Sequence, residues 1–188
     1  MLRLFIAVSL SAKQIDQVAA LQNQLKHSLK GVRWVKQEGM HLTLSFIGET
    51  DPEMLDTIKE IMNRVVTPFS KFKLSISGCG VFPGPSRARV LWLGVEKGAE
   101  ELTDLAEKLA AGLAEIGLKQ EGRKYQPHLT IGRIRQSLEE KMIIEYFLAK
   151  NDFKTETAVV EHFELLESRL SSEGAKYRVL HRKKLSAD

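Results

Sequence analysis

A single cysteine, Cys79, stands among 188 residues, which excludes an internal disulfide and a cysteine-ligated zinc cluster. As a reactive thiol Cys79 would need a neighbouring base and a positive environment. In Gly78-Cys79-Gly80 it reads instead as part of a turn. No segment reaches the roughly 18 consecutive apolar residues of a membrane span. The opening run Leu2-Arg3-Leu4-Phe5-Ile6-Ala7-Val8 is short and has no cleavage site behind it, so it reads as a first strand rather than a signal peptide. A cytoplasmic monomer is the expectation. Neither sign of charge is in large excess: lysine and arginine number 28 against 24 aspartates and glutamates. That balance is compatible with an anionic partner without demanding one. The length suits one domain, residues 1–188, able to bury a sizeable core.

What is there is a repeat. His41-Leu42-Thr43-Leu44 returns as His128-Leu129-Thr130-Ile131. Alternation of this kind marks a strand with one buried face, because successive side chains point to opposite sides. The aliphatics face a core, and each His and Thr share the other face. Two such strands set against each other would bring two imidazoles and two hydroxyls around one cleft. A proton acceptor, a proton donor and flanking hydrogen-bond donors suffice to cleave a phosphodiester without a metal. One copy of the pattern is weak, and its structural reading is an ordinary half-buried strand. Two copies, one in each half, carry more.

The chain in order gives the frame. After the first strand, Ser9 or Ser11 caps a helix reaching about Leu29, its stripe formed by Ile15, Val18, Ala19, Leu21, Gln22 and Leu25. Val32–Val35 is a short strand, and the first motif strand runs Met40 to Ile47 and stops at Gly48. Asp51-Pro52 opens a second helix that breaks before Pro68. Phe72, Leu74 and Ile76 alternate in a strand ending near Gly78, and Gly80 to Pro85 is a loop. Val90–Val95 reads as a strand buried on both faces, Ala99 to about Ile116 as a third helix closed by Gly117. Pro127 biases Gln126 towards extended geometry before His128. A fourth helix follows from Ser137 or Leu138 to about Ala149. Strands Val159–Leu170 and Lys176–Leu185, joined by the turn Ser171-Ser172-Glu173-Gly174, finish the chain. Both halves read strand, helix, His-x-Thr-x strand, helix. The predicted class is therefore α+β, a bilobal duplicated unit with two mostly antiparallel sheets flanked by helices and a central cleft carrying both motifs.

These motifs, with Arg-Val-Leu-Trp-Leu-Gly-Val at 89–95 and Pro-His-Leu-Thr-Ile-Gly-Arg at 127–133, resemble the 2H phosphoesterases. Within that superfamily the chain is most similar to the RNA 2′,3′-cyclic phosphodiesterases, formerly called 2′–5′ RNA ligases. The resemblance implies a bilobal α+β fold and metal-free opening of a terminal 2′,3′-cyclic phosphate on RNA to a 2′-phosphate, in some members with reversible 2′–5′ ligation. It places His41 and His128 as the acid–base pair. The expected orientation has His41 protonating the departing O3′ and His128 activating water, although a pseudosymmetric site can run either way. It also places Thr43 and Thr130 on phosphate oxygens, Arg133 on the substrate and Phe46 against the nucleobase. No cofactor or metal is implied. Histidine ionises near pH 6.5, so one imidazole can be neutral while the other is protonated.

Strand parity puts a condition on two of these assignments. Five residues from His41 or His128, a regular strand points Phe46 and Arg133 to the core side. A bulge near Gly132 would turn Arg133 inward. The basic residues Arg87, Arg89, Arg123 and Lys124 and the cluster Arg182-Lys183-Lys184 could guide an RNA backbone, though a solvated surface explains any one of them. Three other functions share parts of the pattern: a hydrolase of a small cyclic nucleotide metabolite, an RNA-binding protein without turnover, and a metallohydrolase. The last lacks a third ligand at useful spacing from either motif.

Overall fold

In the computed structural model the described residues are 1–118, 124–135, 145–171 and 174–187. Strand β1, Leu2–Ser9, buries Leu4, Ile6 and Val8 on one side. Helix α1, Ala12–Ser28, starts at Ser11 through a capping box with Gln14. After the short strand β2, Val32–Trp34, comes a 3₁₀ turn, Gln37–Gly39. Strand β3, His41–Thr50, then carries the first motif. It runs past Gly48, where a stop was expected, through a register shift that leaves Ile47 extra, with Gly48 at a φ of 86°.

Asp51 accepts from the Glu53 amide and opens a 3₁₀ turn that leads into α2, Leu55–Val65. The single strand expected over 72–78 is two: β4, Phe72–Leu74, and β5, Ile76–Phe82. So Gly80 lies in a strand and not in a loop. Strand β6, Val90–Val95, precedes α3, Ala99–Glu115, and β7, His128–Ile134, carries the second motif. Expected burial of β6 on both faces is corrected: Leu91 and Leu93 are fully buried, while Trp92 on the other face is only partly so.

Of the fourth helix, residues 145–148 are helical and the expected start at Ser137 or Leu138 lies outside the described residues. The last predicted strands are three, β8 (Ala158–Val160), β9 (His162–Ser171) and β10 (Gly174–Lys184). Ser172 and Glu173 of the expected turn also lie outside the described residues.

Eight strands form one sheet in the order β10-β9-β1-β3-β7-β6-β5, with β2 beside β7, and β4 pairs β8 separately. All the pairings between these strands are antiparallel. The expectation of one sheet per half needs adjustment. The two motif strands meet at a single residue pair, Leu42 with Leu129, which links them into one path, while β2 crosses over to β7 and β9 to β1. From that pair outward the order is mirrored: β3 then β1 then β9 on one side, β7 then β6 then β5 on the other.

One face of the sheet holds the core. Leu4, Ile6, Leu42, Leu44, Leu91, Leu93, Leu129, Ile131 and Leu165 pack with Val18, Leu21 and Leu25 of α1, Ile58 and Met62 of α2, and Leu105, Leu109 and Leu113 of α3. The opposite face is left for the histidines.

Candidate active site

Antiparallel pairing at Leu42–Leu129 sets His41 beside Thr130 and Thr43 beside His128 on the face away from the helices. Both motifs are therefore brought together. The His128 Nδ1–H donates to the Gln126 carbonyl at 2.7 Å, the residue two before it. A carbonyl can only accept, so on His128 the hydrogen sits on Nδ1 and Nε2 is the free acceptor. At His41 the backbone of Gly39, again two before, favours the protonated ring.

The residues five beyond each histidine also match. In β3, Ile6 pairs with Ser45 and Ala7 with Thr43, so Leu44 is an unpaired extra residue. In β7, Leu91 pairs with Gly132 and Trp92 with Thr130, so Ile131 is the extra one. Each bulge sits three residues after its histidine and switches parity beyond it. Phe46 consequently shares the cleft face, 51% exposed and opposite Phe5, with the Arg3 guanidinium 5.3 Å from its ring. Core packing of Phe46, which a regular strand requires, is excluded. Arg133 is likewise exposed and close enough to act electrostatically on His128.

A buried glutamine supports the second bulge. Gln22, on the apolar stripe of α1, donates from Nε2 to the carbonyls of Ile131 at 2.8 Å and Val35 at 2.9 Å. The Ile131 carbonyl also accepts from the Val35 N–H at 3.0 Å, so the amide adds a second donor there and ties α1 to both strands.

Aromatic walls flank the pair. Phe5 and Tyr177 stand 4.8 and 5.1 Å from His41, and Tyr177 meets it edge-on. Phe82 and Trp92 stand 4.9 and 6.2 Å from His128. None of these four is marked by the motif pattern: Phe5 and Trp92 lie on strands paired to the motif strands, Phe82 one strand further out and Tyr177 two. Tyr125, three residues before His128, donates its hydroxyl to the Thr43 carbonyl at 3.1 Å and ties the lead-in of β7 to β3. Arg123 lies outside the described residues.

Burial dominates the electrostatics. It draws the His41 pKa from 6.5 to about 4, against the hydrogen bond to Gly39's carbonyl, with His128 adding repulsion. His128 is held low by burial, opposed by the Gln126 carbonyl and reinforced by Arg133. Between pH 6.5 and 4 the unfolded chain binds a proton at position 41 and the folded one does not. Stability is therefore present above pH 6.5 and lost as pH falls through that window. For His41 alone the loss from pH 7.5 to 4.5 is on the order of 2–3 kcal/mol, or roughly 5–10 °C in Tm. His41→Ala is expected to show a correspondingly smaller drop in thermal scans at the two pH values; an equal drop excludes the buried imidazole as its source.

The sequence matches the 2′-5′ RNA ligase superfamily over residues 12–171. The chain belongs to that superfamily. An RNA 2′,3′-cyclic phosphodiesterase of Thermotoga maritima is 34% identical over 182 residues, 96% of this chain and 94% of the relative. One of Methanothermobacter thermautotrophicus is 33% identical over 175 residues, 93% and 94% of the two chains. Among solved structures, TT0787 of Thermus thermophilus superposes on this superfamily member with a TM-score of 0.82 at 26% identity, covering 99% of both chains. Escherichia coli LigT complexed with 3′-AMP gives 0.80 at 25%, covering 98% of both. No helix among the described residues is long and apolar enough to cross a membrane.

Proposed function

We propose that this chain opens terminal 2′,3′-cyclic phosphates of RNA to 2′-phosphates by metal-independent, two-histidine acid–base catalysis. One observation carries the reading: two imidazoles, each beside the backbone two residues before it, share one face where β3 meets β7. The family and its similarly sized relatives, named for this reaction, support it.

In the reaction, water attacks phosphorus as the neutral imidazole of His128 takes its proton. The P–O3′ bond breaks, and the imidazolium of His41 gives its proton to O3′. Low pKa values keep both rings neutral in the free protein near pH 7. The phosphate anion, once bound, favours protonation of one of them. Thr43 and Thr130 donate to the non-bridging oxygens, and Arg133 adds positive charge as they gain negative charge. Phe46 offers a ring for the base to stack on. A 5′-hydroxyl in place of water gives a 2′–5′ linkage by the same steps, and the reverse restores the cyclic phosphate.

The repeated offsets support a duplicated unit: carbonyl at −2, bulge at +3, cleft-facing side chain at +5. We take residues 1–188 as one bilobal domain built from two such units around the cleft. A zinc ion would need a third nitrogen, sulfur or carboxylate ligand beside the histidines. Among the described residues no group of three His, Cys, Asp or Glu is placed to hold a metal.

The test is an RNA ending in 2′,3′-cyclic phosphate, incubated with the protein in EDTA. Conversion to the 2′-phosphate, undiminished by the chelator, is expected. RNA bound but not converted would transfer the site to a binding role. Conversion of small cyclic nucleotides alone would point to a metabolite substrate.

A further inference from the structure

A line of polar side chains crosses the cleft face from His41 to the sheet edge. Ser9 is the register partner of His41. Its hydroxyl donates to Glu164 Oε2 at 2.8 Å. Glu164 in turn is the register partner of both Ala7 on β1 and Arg182 on β10. Arg182 closes the line, its Nε 2.8 Å and Nη2 2.7 Å from Glu164 Oε1. Pairing across four strands keeps these residues on one face with His41, and Leu166, two beyond Glu164, confirms that face by packing on Phe5, Ala7 and Tyr177.

Glu164 is an unusual residue for such a floor. Its side chain is 4% exposed, whereas that of Arg182 is 57% exposed. A carboxylate buried this deeply needs close cationic and hydroxyl partners, and it has both. The effect on Arg182 is to hold a flexible side chain in one place, while the pairing occupies only part of its five-donor fork. Lys184, exposed and two residues further along β10, sits opposite His162 and continues the cationic edge.

Three strand spacings separate β10 from β3, so Arg182 lies roughly 14 Å across the sheet from His41. A phosphate bound between the histidines cannot reach it. A second phosphate on the same strand can. We infer that Arg182, fixed by Glu164 and Ser9 and extended by Lys184, binds an internal phosphate of the RNA upstream of the reacting end, so that the site favours oligonucleotides over mononucleotides. This inference rests on the function proposed above and gives that site its substrate class.

Comparing cytidine 2′,3′-cyclic phosphate with a short oligoribonucleotide ending in the same cyclic cytidylate tests it. In Arg182→Ala the preference for the oligonucleotide, read as the ratio of kcat/KM values, is expected to fall roughly tenfold or more. Arg182→Lys, which keeps the charge and loses the fork, should fall between the two. The salt dependence of binding an uncleavable oligonucleotide with a 3′-phosphate end should become shallower by about 0.7 in the log–log slope. A uniform loss on both substrates would mark Arg182 as merely structural, and an unchanged ratio and slope would remove it from RNA binding. Should wild type turn over neither substrate, the proposed reaction fails, while the salt slope still decides whether Arg182 touches RNA.

Discussion

His41→Ala and His128→Ala are each expected to lower turnover of a 2′,3′-cyclic phosphate end roughly 10²–10⁴-fold, the usual worth of one positioned proton-transfer group. The double variant should lose far less than the product of the two, because two groups that act in one step are not independent. The pH profiles carry the finer prediction. In the free protein burial depresses both imidazoles, His41 to about 4, so the singly protonated pair needed for acid–base work forms on the acid side of neutrality. The profile of kcat/KM, which reports free-enzyme groups, should therefore peak at lower pH than that of kcat. In the bound complex the phosphate's negative charge raises the pKa of whichever ring faces it. His41→Ala and His128→Ala should remove different limbs of the profile. Loss of the same limb in both would sink the separate roles assigned to them, and coincident optima for kcat and kcat/KM would remove the phosphate as the source of the proton's stabilisation.

The motif strands were legible because alternation reports burial directly. Leu42, Leu44, Leu129 and Ile131 are buried as their positions demand, and the histidines and threonines lie on the other face. The α+β class and the antiparallel pairing followed from the same patterns. Parity beyond the motifs was not legible. Leu44 and Ile131 satisfy a regular strand as well as a bulged one, since an unpaired aliphatic still points to the core. Only the neighbours' hydrogen bonds reveal the extra residue, and those belong to other strands.

The walls of the cleft were harder still to read. Phe5, Phe82, Trp92 and Tyr177 are widely separated in sequence and meet the histidines only through strand order. Trp92 shows why. In Val90–Val95 it stands among aliphatics and reads as core, yet Leu91 and Leu93 take the core and Trp92 falls on the cleft face beside Thr130. Ser9, Glu164 and Arg182 are likewise dispersed, and a glutamate in a strand gives no sign from sequence alone that it is buried.

Gly80→Ala should produce the largest loss among substitutions outside the histidines, and for a reason confined to one ring. Gly80 is the register partner of Trp92, whose indole lies across it. A methyl carbon there would stand 2.6 Å from Trp92 Cε2 and nearer still to Cζ2 and Cη2. A rigid bicyclic ring cannot absorb that by bending, so the indole must move as a body. Phe82 packs 5.1 Å from it on β5's own end of the pair, and the core lies beneath, which leaves the cleft as the direction of escape. The shift would push Trp92 towards His128 and the space the cyclic phosphate must enter. Over-packing of this kind costs about 1–3 kcal/mol, or roughly 2–12 °C in Tm for a chain of this size. Because substrate entry is obstructed while the imidazoles stay tethered to their carbonyls, KM should rise more than kcat falls. Gly84→Ala is the matched control: it is extended, with φ at 172°, and a methyl there meets nothing within 4 Å. It should leave both stability and KM near those of the parent. Equal behaviour of the two variants would mean that the indole is not held by Gly80 and that the wall beside His128 is set by other contacts.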